Sequence, residues 1–446
     1  GKRQQSHTQG HKMENPNPNN EVAMKIKAML EEAQPRFAAE CCIYRVPNEI
    51  RKHNEDAYTP RVVSIGPFHH GNEKLLNMEG QKRLYCRKFI ERSETKNLES
   101  FVSCVQEVEA EVRGCYSEDI KLSKEELVML ILVDCCFIIN FLLEFIFMVT
   151  GGDTLFLPRY LFNSICIDLC LVENQVPFFV LEKLYNLAFP STLSSDNHTH
   201  PLLWLALAIL PAPDKTVTGD NLEQTITNLG RVAHFTDLYR MVLLRSSLLF
   251  QPPSDSGCSR GAQVMHLYSA TELNELGVKF EVNKNSQCLL DLKLSAHTLK
   301  IPFINVDDWT ELFLRNLLAF EQCHYIHEYY LTDYMVVLDF LINTDKDVDL
   351  LIKKGIIKNG LGDSNAVAKM FNGLGVNLMC PNFNVEYSLI LKRLNDFCAH
   401  PWNRKVATLK RDYCNTPWKT VASIAGIFLL ILTVIQTVFS ILQGAN

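Results

Sequence analysis

The 446-residue sequence is 47% hydrophobic and 21% charged, a balance that supports a sizeable buried core and excludes an intrinsically disordered chain. Its formal net charge of -6 and isoelectric point near 6.1 provide no overall basic field, so no nucleic-acid partner is expected. Fifteen scattered cysteines accompany a polar first twenty residues without an apolar leader, which predicts reduced thiols packed as small hydrophobes.

Residues 1–20 read as a disordered tail, within which Met13 opens MENPNPNN, an ordinary-looking start. A short amphipathic helix is expected from Glu21 to about Gln34, stopped by Pro35. The run CCIYRVPNEIRKHNEDAYTPRVVSIGPFHHG is punctuated by Pro47, Pro60, Gly66, Pro67 and Gly71, predicting extended segments and turns laid on the core. Helices follow over 74–114, 123–149 and 158–188.

The second of these, ELVMLILVDCCFIINFLLEFIFMV, is long enough to span a bilayer but carries Asp134 and Glu144. Each would cost about 2.5–3.5 kcal/mol near a membrane centre. A central helix of the soluble domain is therefore expected, started by an S-x-x-E capping box at Ser123 and Glu126.

Within DLCLVENQVPFFVLEKLY, Glu173, Asn174 and Gln175 interrupt an apolar stretch just before Pro177. Buried polar groups need partners, and Pro177 leaves a carbonyl without its helical donor. Two readings follow: the triplet satisfies exposed backbone groups and pins the extended N-terminal segment, or Glu173 is the acid of a ligand pocket. Asp168, His69 and His70 complete this candidate polar cluster.

Surface loops are expected at 193–200, 211–220 and 251–261. Beyond them, Val278, Phe280 and Val282, then Leu290, Leu292 and Leu294, alternate with polar residues before Leu299 and Ile301, predicting a small β-meander. Asp308 and Glu311 form a D-x-x-E start to a helix running to about Asn343, and DVDLLIKKG closes a helix with Gly355.

From Val421 to Leu442 there is no charge and no proline. As a helix this run spans about 33 Å against a hydrocarbon core of about 30 Å, so a transmembrane helix in contact with lipid is expected. Arg404, Lys405, Lys410, Arg411 and Lys419 precede it, whereas residues 443–446 carry no side-chain charge. The positive-inside rule then places the large domain in the cytosol, at the plasma membrane or an endomembrane, with the helix inserted after synthesis. The expected organisation is mainly α: a single helical domain over 21–400, a juxtamembrane segment over 401–420, the membrane helix over 421–442 and a short tail over 443–446.

Motifs for chemistry are scarce. VVSIGP has Val62 where a G-x-S-x-G elbow needs glycine, and no phosphate loop, kinase signature or H-E-x-x-H is present. Glu321 and His324 form a lone E-x-x-H, and Cys166 and Cys170 a lone helical pair, both incomplete as metal sites. No catalytic residue, metal ligand or cofactor is assigned.

Six blocks, AYTPRVVSIGPFHHG, DLCLVENQVPFFVLEKL, SATELNELGVKF, LRNLLAFEQCH, DVDLLIKKGII and YCNTPWKTVASIAGIFLLILTVIQTV, resemble in this order the hallmark blocks of the plant family catalogued as domain of unknown function 247. The resemblance covers roughly Cys41 to Leu442 and implies a plant protein with one membrane-anchored helical domain. His69, His70, Glu173, Asn174, Gln175 and Pro177 match the family pattern; Cys135 and Val172 stand where glycine and leucine are usual. The family has no agreed activity, and its members' links to self-recognition in pollination, growth and stress responses imply recognition or signalling through a protein partner. An enzyme of unfamiliar class, acting at a membrane on a small or lipid-like substrate, is the alternative.

Overall fold

The computed structural model describes residues 18–31, 37–150, 157–194, 200–210, 230–244, 268–286, 288–325, 328–376, 378, 384–401, 405, 408 and 417–444. The expected loops 211–220 and 251–261, residues 195–199 of the loop 193–200, the tail before 18 and most of 401–416 lie outside them. The first helix, α1 (Pro18–Glu31), leaves Val22, Ile26, Met29 and Leu30 exposed.

After it the chain runs extended and turn-rich from Cys41 to Gly71, interrupted by the single turn α2 (Asn48–Arg51). The stretch expected as one helix over 74–114 is three: α3 (Asn77–Arg92), α4 (Leu98–Glu107) and α5 (Glu109–Gly114). Lys96 takes a positive φ of 46° between the first two, and Asn97 caps α4 by accepting from the Glu99 amide. The long α6 (Lys124–Thr150) follows, with both bonds of its capping box made between Ser123 and Glu126.

Helix α6 is the centre of the first apolar core, where Phe137, Ile138, Ile139, Phe141 and Leu142 are fully buried. Helix α3 lies along it and buries Met78, Lys82, Tyr85 and Phe89, a stripe at helical spacing with one cation in it. That cation and its neighbour answer the two acids of α6. Lys82 Nζ lies 2.6 Å from Asp134 and Arg92 2.7 Å from Glu144.

The expected helix over 158–188 is also broken, into α7 (Arg159–Asp168) and α8 (Phe178–Ala188), with Pro177 at the N-cap of α8. Helices α9 (Pro201–Ile209) and α10 (Phe235–Leu244) follow, α9 packing against α6 and α10 joining the two halves. A second core begins with α11 (Ala270–Glu275) and a three-stranded sheet, β1 (Lys279–Val282), β2 (Lys293–Ser295) and β3 (Thr298–Ile301).

This sheet has order β1-β3-β2, with β1 parallel to β3 and β2 antiparallel to it. It is a mixed sheet rather than the expected meander. Ala296, at φ 53°, turns β2 into β3, while β1 slots onto the other edge of β3. Strand β4 (Ile304–Val306) pairs in parallel with β5 (Ile357–Asn359).

Between them run α12 (Thr310–His324), α13 (Tyr330–Leu341) and α14 (Asp345–Lys353), so the helix expected to reach Asn343 is two. Its start is held by Asp307, which accepts from the Trp309 and Thr310 amides, rather than by Asp308. Gly355, at φ 72°, closes α14 as expected. Helices α15 (Ser364–Gly375) and α16 (Val385–Ala399) complete the second core, and α17 (Pro417–Gly444) ends the described chain. The protein is thus mainly helical with a small mixed sheet and a C-terminal apolar helix.

Among the described residues two helices are long and apolar enough to cross a membrane, and burial separates them. Lys124–Met148 is 72% buried inside the protein, whereas Val421–Gln443 is not buried at all.

Candidate functional site

Asp168, Glu173 and Asn174 of the predicted cluster turn toward the extended segment 41–68, which among the described residues has no strand partner beyond one bridge, Ile43 to Tyr116. Such a segment must find substitutes for a sheet ladder. Asp168 supplies three: its carboxylate accepts from the amides of Arg61, Val62 and Val63 at 2.8–2.9 Å. Burial pushes this carboxyl up to about 6 against the pull of those donors.

Asn174 acts as a two-sided clamp. Its Oδ1 accepts from Ile65 N at 2.7 Å and its Nδ2 donates to Val63 O and Asp168 O. Asp134 accepts from Gly66 N at 2.8 Å, and Lys82 donates to Ser64 O at 2.9 Å. Gly66 is required here: its φ is 71°, and a Cβ would lie 2.3 Å from Gln175 O.

Gln175 performs the same service for its own turn and for α10. Its Nε2 donates to Leu169 O and Leu171 O, and its Oε1 accepts from Phe235 N. These bonds end α7 and hold residues 169–177 as a turn between the two apolar cores. Asn316 of α12 closes the far side, accepting from Val172 N and donating to Ala57 O.

Glu173 lies in the densest part of the layer, with its side chain fully buried. It accepts from Val46 N at 2.8 Å, Arg51 at 2.6 Å and Arg45 at 3.0 Å, and His69 Nε2 lies at 3.3 Å. Burial alone would raise its pKa; His69, the Val46 amide and the two guanidinium groups outweigh that and hold it below the ordinary value of 4.5. His70 does not join the cluster: it is exposed on the turn before Gly71.

Sequence reasoning missed Arg45, Arg51 and Asn316, and three further members of this layer. Lys82 has all three ammonium donors used, on Asp134, Ser64 and Glu79. Burial would lower its pKa, but the facing carboxylates hold it above the ordinary range. Arg240 of α10 donates to Glu321 and to Glu328 O, and stacks 3.6 Å from the Tyr325 ring centroid. The third is His234, whose Nε2 donates to Cys42 O at 2.9 Å while Nδ1 accepts from Asp237 N.

Burial lowers His234 from 6.5 to about 4, so it is neutral in the folded state at pH 7. The unfolded chain takes up this proton first as pH falls below 6.5. Stability is therefore fully present above that value and falls by about 3 kcal/mol by pH 4. Denaturant melts of the full chain across this range are expected to show the slope, and His234→Gln, whose amide does not titrate, to flatten it.

Glu321 and His324 face different partners. The Glu321 carboxylate also accepts from the Leu331 and Thr332 amides, capping α13, whereas His324 Nδ1 meets the Tyr44 hydroxyl. Among the described residues no three His, Cys, Asp or Glu side chains group as a metal site requires. A small cleft opens beside Ile50, His53, Tyr58, Arg315 and Gln322. None of the six predicted cluster residues lines it.

The family described as a plant protein of unknown function, DUF247, matches residues 43–432. The chain belongs to this plant family, DUF247. UPF0481 protein At3g47200 of Arabidopsis thaliana is 30% identical to it over 432 residues, covering 91% of this chain and 87% of the relative. Putative UPF0481 protein At3g02645 of the same plant is 23% identical over 476 residues, covering 88% and 89%. No solved structure matches the chain. Within this DUF247 chain, three of the six blocks that carried the resemblance contribute to the polar layer: 57–71 supplies much of the extended segment, 168–184 its acid and amide partners, and 314–324 Asn316 and Glu321.

Proposed function

We propose that this protein is a membrane-anchored recognition or signalling module, held by α17, whose helical domain faces the cytosol and engages a protein partner. The observation that carries the anchor is the contrast between the two apolar helices. Fourteen large apolar side chains between Val421 and Leu442 are exposed, and at about 1.5–3 kcal/mol each their transfer out of water is worth on the order of 20–40 kcal/mol. The hydroxyls of Thr433 and Thr437 bond back to the carbonyls four residues earlier, which lets both enter hydrocarbon without an unpaired donor. The basic residues ahead of Trp418 support the cytosolic orientation.

A binding role is supported by how the polar residues of the family blocks are used. Asp168, Asn174 and Gln175 are spent on backbone groups, and Glu173 on one amide, two guanidinium groups and the His69 imidazole. An enzyme built on Glu173, Asp168 or His70 would need them to converge on a concave site, and His70 stands apart on the surface. Recognition would then fall to segments that the sequence marks as surface loops, such as 193–200 and 211–220.

Protease protection on sealed microsomes carrying the full chain tests the orientation. Digestion of the region before Trp418 without detergent is the expected result; protection of that region would overturn a cytosolic module and place its recognition in the lumen or outside the cell.

A further inference from the structure

The surface of α17 differs from one side of the helix to the other. Ala422, Gly426, Leu429, Thr433, Gln436 and Ser440 follow one another at alternating steps of four and three residues, the spacing of a seam that stays on one side of a helix. Five of these six are small or polar. The opposite side carries Ile424, Ile427, Ile431, Ile435, Val438 and Leu442, all exposed and all suited to lipid tails.

Two residues of the seam are not explained by the helix itself. Gly426 lies in the helix interior, where glycine is less favourable than alanine, yet a Cβ there would meet nothing within 4 Å. Its own chain has no need of the missing side chain. Gln436 lies four residues, about 6 Å, from Leu432 at the midpoint of Val421–Gln443, well inside a hydrocarbon layer about 30 Å thick. Thr433 and Thr437 beside it donate to Leu429 O and Thr433 O, whereas among the described residues the Gln436 amide has no partner. Lipid tails supply neither donor nor acceptor. Ser440 has no partner either, but it stands two residues from Leu442 at the end of the run, within reach of the headgroup layer.

We propose that α17 pairs in the bilayer with the α17 of a second copy of this chain, with Gly426 at the close approach and the two Gln436 amides hydrogen-bonded to each other. A copy is the occupant that these residues fit. Each amide carries both donors and an acceptor, so across a two-fold axis one amide satisfies its twin. Every copy enters the membrane with the same orientation and depth, which brings like residues to the same level; a helix of another protein would need a polar group of its own there. One polar residue in an otherwise apolar seam fixes register, and small side chains let the two backbones approach. Confinement to one membrane raises the effective concentration of the copies. The pairing rests on the anchored reading of α17 and names one partner of that module, its own twin.

The test is energy transfer between full chains carrying donor or acceptor dyes at the C-terminus, reconstituted together in phosphatidylcholine vesicles and floated on a density gradient. Transfer that rises with the protein-to-lipid ratio, and that unlabelled chain competes away, is the expected result. Gln436→Leu, which leaves the span more apolar, is expected to weaken association about 3- to 30-fold. Gly426→Leu is expected to abolish it, while Ile431→Leu on the opposite side leaves it unchanged. A wild-type chain that floats with the vesicles but shows no transfer beyond random proximity overturns the pairing and leaves the anchor standing. Transfer that survives both seam variants also overturns it, because association then runs through the helical domain. A chain that does not float overturns the anchor and the pairing together.

Discussion

Replacing Glu173 with alanine is expected to destabilise the fold by about 3–5 kcal/mol, the usual consequence of removing one partner from a buried ion cluster. Arg45 and Arg51, 32% and 21% exposed at their side chains, can turn partly toward water. The Val46 amide cannot, and it loses its acceptor. Glu173→Gln keeps an acceptor for that amide but turns a donor toward the guanidinium groups, so a smaller loss is expected. Urea melts of the three chains measure the order.

The pH dependence follows from the depressed Glu173 pKa. The stability supplied by this carboxylate is complete above about 4.5, its ordinary value, and is lost as pH falls through the lower folded value. Melts below pH 4.5 are expected to bring wild type and Glu173→Gln together. A gap that persists unchanged would mean that the cluster does not hold the carboxylate charged.

Lys82→Ala is the second large effect. It strips Asp134 of its counter-charge while leaving the carboxylate fully buried, and a loss of about 3–5 kcal/mol is expected. Adding Asp134→Asn should recover part of it, because a neutral amide can still accept from Gly66 N. The double variant is therefore expected to be more stable than Lys82→Ala alone, and a thermodynamic cycle on the four chains isolates the coupling. Simple additivity would show that the two groups do not interact.

How far such effects could be read from the sequence varied with the range of the interaction. The local signals were legible: the Ser123 and Glu126 capping box, the Gly355 stop and the contrast between a run containing Asp134 and Glu144 and one without charge. Each depends on residues within a few positions of one another. That Asp134 and Glu144 face Lys82 and Arg92 required the packing of α3 on α6, which periodicity does not report.

Two of the missed helix breaks share one cause. Between α7 and α8 the turn 169–177 is held by Asn174 and Gln175, whose amides bond to carbonyls of their own turn, to segment 61–65 and to α10. Between α12 and α13 there is neither glycine nor proline; the new helix starts because Glu321, ten residues before Leu331, caps it. Side chains override helix propensity there through contacts distant in sequence or made around a turn. The sheet was misread for a related reason, since alternation marks strands but not which edge β1 occupies. At the candidate site the triplet 173–175 was legible as polar groups needing partners, but His70 was grouped with it by sequence proximity and stands on the surface.

Alkaline carbonate extraction of membranes carrying either the full chain or a chain ending before Pro417 tests the anchored domain most directly. The full chain is expected in the membrane pellet, and the shortened chain, which still contains the equally apolar α6, entirely in the supernatant. A shortened chain that stays in the pellet would contradict the division between a buried core helix and an exposed anchor.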